Sequence, residues 1–236
     1  MNRSSRGIVP LVLMTALWPA AALSALLGER QAVPAPARPP ASSMTRPVSP
    51  AKPAGADGFI LRWLLLEPIR VPGLLTESAV RTAVEKDFPV PASPFPHDGD
   101  KLKVGDSELA WHAVDTLNYN INLYHFAYAL NKPTTNVLFW AVTVVNAPRQ
   151  MSGVRLAIGS NAASVWWVNG GEATALYNDR QAVIDDGVSK RLTLNQGANV
   201  IRAAIVNAGG ATDFCARFLD ENDRPIRTLT ATLTAR

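Results

Sequence analysis

Cysteine is almost absent from this sequence, because Cys215 is the only one among its 236 residues. An internal disulfide is therefore excluded, and the folded part must be held together by its core alone. Around Cys215 the sequence DFCARF alternates, with Phe214 and Phe218 on one face, which predicts a strand cysteine. A catalytic thiol would need a nearby histidine, and no histidine follows His125.

Motifs of catalysis are also lacking. The sequence has no Gly-x-Ser-x-Gly elbow, phosphate loop or dinucleotide fingerprint. Its three histidines, His97, His112 and His125, match no zinc spacing. Gly105-Asp106-Ser107 resembles the short motif of one esterase class but lacks the carboxyl-terminal histidine of those enzymes, and we interpret it as a surface turn. We therefore predict that the protein is not an enzyme and has no catalytic residue, cofactor or metal ion.

The positive charge of the chain is confined to its first quarter. The formal net charge is +4, with 23 Lys and Arg against 19 Asp and Glu. Residues 1–57 hold six of the basic and two of the acidic residues, so residues 58–236 are neutral overall. A nucleic-acid groove needs clustered Lys and Arg on a folded face, and we predict no nucleic-acid partner.

Residues 1–27 have the pattern of a signal peptide or a signal anchor. Arg3 and Arg6 precede an uncharged segment over 7–27, and small residues follow at 21–25. The same uncharged segment is long enough to span a bilayer, which would leave both arginines in the cytoplasm. Both alternatives predict an exported protein, periplasmic or extracellular, and the second adds membrane contact through residues 7–27.

Residues 28–57 form a Pro/Ala-rich linker in this interpretation. Seven of the 18 prolines fall between Pro34 and Pro53, and the segment has no apolar periodicity. Proline fixes φ and removes a hydrogen-bond donor, so we expect a semi-extended, disordered spacer. One folded domain should follow over residues 58–236.

This domain is predicted to be mostly β, an antiparallel β-sandwich or jelly roll with one short helix. The helix should begin after Thr76 as N-cap and end before Pro89, with apolar residues at 79, 80, 83 and 84 on one face. A buried strand is expected within 59–66. Further strand signals recur between turns, at 109–114, 121–130, 136–146, 153–159, 164–169, 189–194, 199–207 and 213–219.

Seven short motifs occur in order between residues 59 and 226. They are LRWLLLEP at 61–68, LAWHAV at 109–114, AYA at 127–129, LAIGS and VWWVNG within 156–170, LTLNQGAN at 192–199, and FLDENDRPI at 218–226. Together they resemble the galactose-binding-like jelly-roll modules of secreted bacterial polysaccharide-degrading proteins. The resemblance implies a jelly-roll fold and a non-catalytic role, either in glycan binding or in packing beside enzymes. Asn161 and Ala162 stand where that family has paired acids, so the calcium or polar role of those acids does not carry over to this sequence.

A sugar site combines an aromatic platform with hydrogen-bonding side chains. The candidate ligand-binding residues are Trp166, Tyr177, Asn178, Arg180, Trp111 and Asp213. Trp166 shares a strand face with Val168, and Trp167 shares the other face with Val165, so both faces are apolar. We interpret Trp167 as core, and leave Trp166 open between core and sugar platform.

Two hypotheses for the function follow. The first is an exported, non-catalytic carbohydrate-binding module whose partner is a glycan. The second is a membrane-anchored structural or protein-interaction domain of a bacterial envelope assembly, whose partner is another envelope protein.

Overall fold

The computed structural model of the chain describes residues 44–86 and 95–234. The predicted signal segment and the linker residues up to 43 lie outside the described residues. No helix in the described part of the chain is both long and apolar enough to cross a membrane.

The described residues form short and long strands joined mostly by tight turns, together with two helices. In chain order these elements are β1 Met44–Thr45, β2 Lys52–Pro53, β3 Arg62–Leu66, β4 Ile69–Arg70, α1 Glu77–Lys86, β5 Lys101–Val104, β6 Ser107–Thr116, β7 Ile121–Asn122, α2 Leu123–Ala129, β8 Val137–Ala147, β9 Met151–Ser160, β10 Ala163–Val168, β11 Gly171–Leu176, β12 Gly187–Val188, β13 Leu192–Leu194, β14 Gly197–Asn207, β15 Asp213–Leu219 and β16 Thr230–Thr232.

The strands assemble into two antiparallel sheets. The larger sheet has the order β1-β6-β3-β8-β14-β10-β11, with β4 and β16 on β8, β5 on β6, and β2 on β16. The smaller sheet has the order β12-β9-β15-β7, with β13 on β9. The predicted mostly β, antiparallel fold is confirmed.

The main core lies between the two sheets. Trp63 and Trp166 of the larger sheet meet Phe214 of the smaller sheet, and all three side chains are fully buried. Their rings contact edge to face, with centroids 5.0 Å apart for Trp63–Phe214 and 5.5 Å apart for Trp166–Phe214. Such pairs add about 0.5–1.5 kcal/mol each to the free energy of burial, so this cluster is the centre of the sandwich.

A second apolar cluster covers the outer face of the larger sheet. Val80 and Val84 of α1 pack there against residues that include Trp140 and Val165. The predicted helix is thus confirmed, and it explains why β8 and β10 are apolar on both faces. Because α1 covers one side and the smaller sheet covers the other, most side chains of β8 and β10 are buried on both faces, and Trp167 is partly exposed.

One predicted strand is wrong. The segment 121–130, including the AYA motif, forms the two-residue strand β7 followed by α2. Asn122 caps this helix, since its Oδ1 accepts a hydrogen bond from the backbone N–H of His125 at 2.8 Å. Leu123, Phe126 and Ala127 then point into the core at helical spacing. The part of the domain that the structure describes therefore has two helices where the sequence predicted one.

Residues 44–57 also differ from the expectation. We expected a spacer without fixed structure as far as residue 57, but β1 pairs with β6 and β2 pairs with β16. The physical reason is Arg62, which is 1% exposed on the outer face and requires partners. Its guanidinium donates to both oxygens of Asp115 at 2.7 and 2.9 Å and to the carbonyl of Ser49 at 2.7 Å. These bonds fasten the end of the predicted linker to the sheet.

Candidate functional site

The structure decides between the two interpretations of Trp166. Its side chain is fully buried between the sheets, and its indole Nε1 donates to Ser164 Oγ at 3.0 Å. A sugar ring cannot reach it, so Trp166 as a sugar platform is wrong. Strand alternation correctly placed Trp166 and Trp167 on opposite faces of β10, but it could not show which of these faces the smaller sheet would cover.

Two further candidate residues lie apart from each other. Trp111 is 3% exposed and belongs to the outer-face cluster, so its proposed contact with a glycan is wrong for the same reason of burial. Asp213 begins β15 in the smaller sheet, where it accepts a hydrogen bond from Asn120 Nδ2 at 2.9 Å. A ligand contact of Asp213 stays a prediction.

The loop after β11 carries the other three candidates. Asn178 is exposed, with its backbone in the left-handed region, and its N–H donates to the carbonyl of Leu75 at 2.8 Å. Arg180 pairs with Asp186. The carbonyls of Asp213 and Arg180 accept hydrogen bonds from the backbone N–H groups of Asn161 and Ala162, so these two candidates flank the turn between β9 and β10. The ligand contacts of Asn178 and Arg180 stay predictions.

Tyr177, by contrast, lies beside α1. The guanidinium carbon of Arg81 sits 5.7 Å from the centroid of the Tyr177 ring. Burial raises the pKa of the Tyr177 phenol, so this hydroxyl is neutral near pH 7. Tyr177 therefore stands at the margin of a cleft on the outer face of the larger sheet.

This cleft, called the Trp167 cleft below, has a volume of about 390 Å³. It is lined by Arg81, Val84, Glu85, Val165, Trp167 and Glu172. Trp166 points into the main core between the two sheets, whereas Trp167 points to the outer face of the larger sheet. The Trp167 side chain is therefore partly exposed. Its ring packs on that of Trp140 in the outer-face cluster, with centroids 5.8 Å apart and planes tilted by 30°.

Small side chains allow the two indoles to approach each other. Trp140 and Val165 both stand opposite Ala204 of β14, and Trp167 stands opposite Arg202. Ala204 has a small side chain, which leaves room on this face of β14 for the Trp140 and Trp167 rings to contact each other. The predicted core role of Trp167 is therefore only partly correct, since the side chain packs on the cluster and also faces the cleft.

Arg81 organises the polar side of the cleft. It donates to both carboxylate oxygens of Glu172 at 3.0 Å each and to Glu77 Oε1 at 2.9 Å. These hydrogen bonds raise the pKa of Arg81, and the bond from Arg81 lowers the pKa of Glu172. Both groups are thus charged near neutral pH, and they tie α1 to the edge strand β11.

Sequence reasoning missed the residues of this cleft, although a local signal exists. Glu77, Arg81 and Glu85 recur every fourth residue, so they form one charged stripe on α1 beside the apolar stripe of Val80 and Val84. The contact with Glu172 joins residues 91 positions apart, and only the fold brings them together.

The other polar motifs have local structural roles. Gly105 and Asp106 form the turn between β5 and β6, which confirms the surface turn predicted for this segment. In the part of the chain that the structure describes, no group of three His, Cys, Asp or Glu side chains is placed to hold a metal ion.

Comparison with known proteins assigns no family. No protein-family model and no curated protein matches the chain. Similar solved structures include the β-glucosidase from Kluyveromyces marxianus in complex with glucose, at 14% identity and a TM-score of 0.39, over 67% of this chain and 17% of that one. They also include the PA14 sugar-binding domain from an RTX adhesin, at 9% identity and a TM-score of 0.43, over 75% of this chain and 99% of that one. The PA14 domain of the MpAFP antifreeze protein matches at 11% identity and a TM-score of 0.39, over 72% of this chain and 89% of that one. The galactose-binding-like resemblance stays a prediction.

Proposed function

We propose that this chain is a non-catalytic carbohydrate-binding domain and that the Trp167 cleft holds the glycan. One observation supports this proposal above the others. A partly exposed indole shares a cleft with a bidentate Arg81–Glu172 pair and with the carboxylate of Glu85. A pyranose ring has an apolar C–H face that packs on an indole and hydroxyl groups that bond to charged side chains.

The polar groups of the cleft are held in place before a ligand arrives. Arg81 makes hydrogen bonds to Glu77 and Glu172 and lies over the Tyr177 ring. Because these side chains are already ordered, binding costs little side-chain entropy. The volume of about 390 Å³ is at the lower end of ordinary ligand sites, and it suits a short segment of a glycan.

The amino-terminal sequence supports an exported location for this binding activity. Residues 1–27 have the pattern of a signal peptide or signal anchor, and a Pro/Ala-rich segment separates them from the folded domain. In this proposal the domain works in the periplasm or outside the cell, where envelope and environmental polysaccharides occur.

Binding by the full chain to a glycan array, followed by calorimetry with the best oligosaccharide, tests the proposal. Trp167→Ala should weaken binding at least 10-fold, since stacking on an aromatic ring is lost. Tyr128→Ala is the matched control, because Tyr128 is an exposed aromatic residue of α2 outside the cleft. Flat responses across plant, bacterial and host glycans, or equal binding by wild type and Trp167→Ala, would overturn it.

A second candidate function is protein interaction within an envelope assembly, and a different surface favours it. Val183, Ile184 and Val188 are exposed apolar residues beside the smaller sheet. Asp185, in the same segment, is paired with Arg217, whose guanidinium lies 4.8 Å from the Phe59 ring centroid. Exposed aliphatic residues around an ordered arginine are common at protein interfaces. Crosslinking of the full chain in its native membrane or secreted fraction should capture a partner through this surface, and loss of capture in Ile184→Asp would support it.

A further inference from the structure

The charges of the Trp167 cleft point to the kind of sugar that it accepts. Three carboxylates stand at or beside the cleft, those of Glu77, Glu85 and Glu172, against the single surface guanidinium of Arg81. Arg81 is already engaged by Glu77 and Glu172. The other cation near the indole is Arg202, which stands opposite Trp167 in β14 and is 6% exposed.

Burial limits what Arg202 can offer to a ligand. Removal from water lowers its pKa, and because Arg202 is 6% exposed and does not line the cleft, it presents little charge to an incoming ligand. The accessible groups therefore present negative charge to an incoming ligand. The carboxylates of Glu85 and Glu172 repel an acidic sugar, and the guanidinium of Arg81 is already paired with carboxylates. This distribution of charge disfavours the binding of uronates and sulfated glycans.

The Glu85 carboxylate and the Trp167 indole together suit a cation. Glu85 is exposed on the last turns of α1 and lines the cleft with the indole. An ammonium group gains from a carboxylate through charge-assisted hydrogen bonds and from an indole face through cation–π attraction. The carboxylate also accepts hydrogen bonds from hydroxyls of the sugar that carries the ammonium, and the indole packs on the C–H face of that sugar.

We infer that the Trp167 cleft selects glycans with a free amino group, of the 2-amino-2-deoxyhexose class, over their N-acetylated and uronic counterparts. This inference rests on the proposed carbohydrate binding by the same cleft. In the complex, the ammonium lies at Glu85 and the pyranose face lies on Trp167. The Arg81–Glu172 pair bonds to ring hydroxyls.

Calorimetry on the full chain tests this with three tetrasaccharides of matched length and one small diamine. The tetrasaccharides are tetramers of glucosamine, N-acetylglucosamine and galacturonate, and the diamine is 1,5-diaminopentane. The glucosamine tetramer should bind at least 10-fold tighter than the other two oligosaccharides. The diamine should bind weakly, and equal binding by it would show an amine site without sugar recognition and overturn the inference.

Removing the negative charge of Glu85 tests whether this carboxylate binds the ammonium group. Glu85→Gln should weaken glucosamine-tetramer binding at least fivefold and leave N-acetylglucosamine-tetramer binding unchanged. Glu108→Gln is the control, since Glu108 is an exposed carboxylate paired with Lys101 on the β5–β6 hairpin. Both variants change exposed side chains, so matching circular dichroism spectra should show intact folding.

The outcomes separate this inference from the proposed function. Equal affinity for the amino and N-acetyl tetramers, or an unchanged ratio in Glu85→Gln, overturns the amino-sugar inference and leaves glycan binding in place. Absence of binding by every oligosaccharide, on the array as well as in calorimetry, overturns the carbohydrate-binding proposal itself.

Discussion

The side-chain amide of Asn169 donates a hydrogen bond to Oδ1 of Asn199 at 2.9 Å. Asn169 lies in the turn between β10 and β11, and Asn199 lies near the start of β14. Asn199 is fully buried, and its Nδ2 also donates to the carbonyls of Asn195 and Gly197. The Asn169 Oδ1 in turn accepts from the backbone N–H of Val200. Two turns at one end of the larger sheet are thus joined by side-chain amides.

Asn199→Ala should therefore destabilise the domain by about 2–4 kcal/mol, because it removes several hydrogen bonds that a fully buried side chain makes to the backbone of the turn before β14. Urea unfolding followed by fluorescence measures this change. Asn222→Ala, at an exposed position in the turn before Pro225, should change the free energy of unfolding by less than about 0.5 kcal/mol. Equal effects of the two substitutions would contradict a bridging role for Asn199.

The sequence predicted the elements with strong local signals. The alternation of apolar residues over 213–219 predicted the bounds of β15 that the structure shows. The pair Asn169-Gly170 predicted the turn of the β10–β11 hairpin. It did not predict α2, because the apolar residues of 121–130 fit a strand as well as a helix. The Asn122 cap and the burial of Phe126 decide for the helix, and burial is a property of the whole fold.

The candidate site was harder to predict for a related reason. Alternation placed Trp166 and Trp167 on opposite faces but could not show which face would be sealed by the second sheet. Arg81 and Glu172 are distant in sequence, and each taken alone is an ordinary surface charge. Of the predicted ligand residues, only Tyr177 lies beside the cleft proposed here, through its contact with Arg81.

The ion pair between Arg62 and Asp115 gives a second prediction. Arg62 is 1% exposed and Asp115 is 5% exposed, and Lys52 Nζ lies 3.8 Å from Asp115. Asp115→Ala leaves a buried guanidinium without its carboxylate and should cost about 3–5 kcal/mol. The double variant Arg62→Met with Asp115→Leu removes both charges, and it should be clearly more stable than Asp115→Ala in urea unfolding.

A matching test concerns the segment that this pair fastens. In Asp115→Ala, limited proteolysis should cut within residues 44–53 faster than in wild type, because Lys52 loses its ion-pair partner and Arg62, which binds the Ser49 carbonyl, loses the carboxylate that orients it. Ser49→Ala, which keeps the backbone carbonyl that accepts from Arg62, should leave the cutting rate close to wild type. Equal proteolysis of Asp115→Ala and wild type would contradict the anchoring role.

The third prediction concerns pH and Glu67, which is 8% exposed at the end of β3. Burial by itself raises the pKa of this carboxyl, but hydrogen bonds from Lys132 at 2.8 Å and from His112 at 3.3 Å outweigh burial and lower it overall. A depressed pKa in the folded state stabilises the protein above the unfolded value of about 4.3, and this stabilisation is lost as the pH falls through the folded pKa.

Glu67→Gln should accordingly be less stable than wild type at pH 7, and the difference should shrink as the pH falls below about 4.3. Urea midpoints of both proteins at several pH values between 3 and 7 measure it. Glu221→Gln, an exposed carboxylate, serves as control. A deficit of Glu67→Gln that stays constant over this range would contradict the ionised pairing with Lys132 and His112.

The last prediction concerns Cys215, which is 3% exposed in β15. Burial raises the pKa of its thiol to about 11, so its thiolate fraction at pH 8 is smaller than that of an ordinary cysteine by a factor on the order of 100. The loop before β12 also covers it. A Cβ at Gly159, directly opposite Cys215, would lie 2.2 Å from the Val183 carbonyl oxygen and 3.0 Å from the Cys215 Sγ.

Ellman's reagent at pH 8 should therefore leave the native chain almost unmodified and react fully with one thiol in urea. Gly159→Ala is the informative variant, because the new methyl group must displace the loop and so expose the thiol, which should speed its reaction in the native state. Fast labelling of the wild type would contradict the burial. In the oxidising compartment proposed for this chain, a lone exposed cysteine would join two chains, and a thiol that is both covered and protonated would avoid such disulfide-linked dimers.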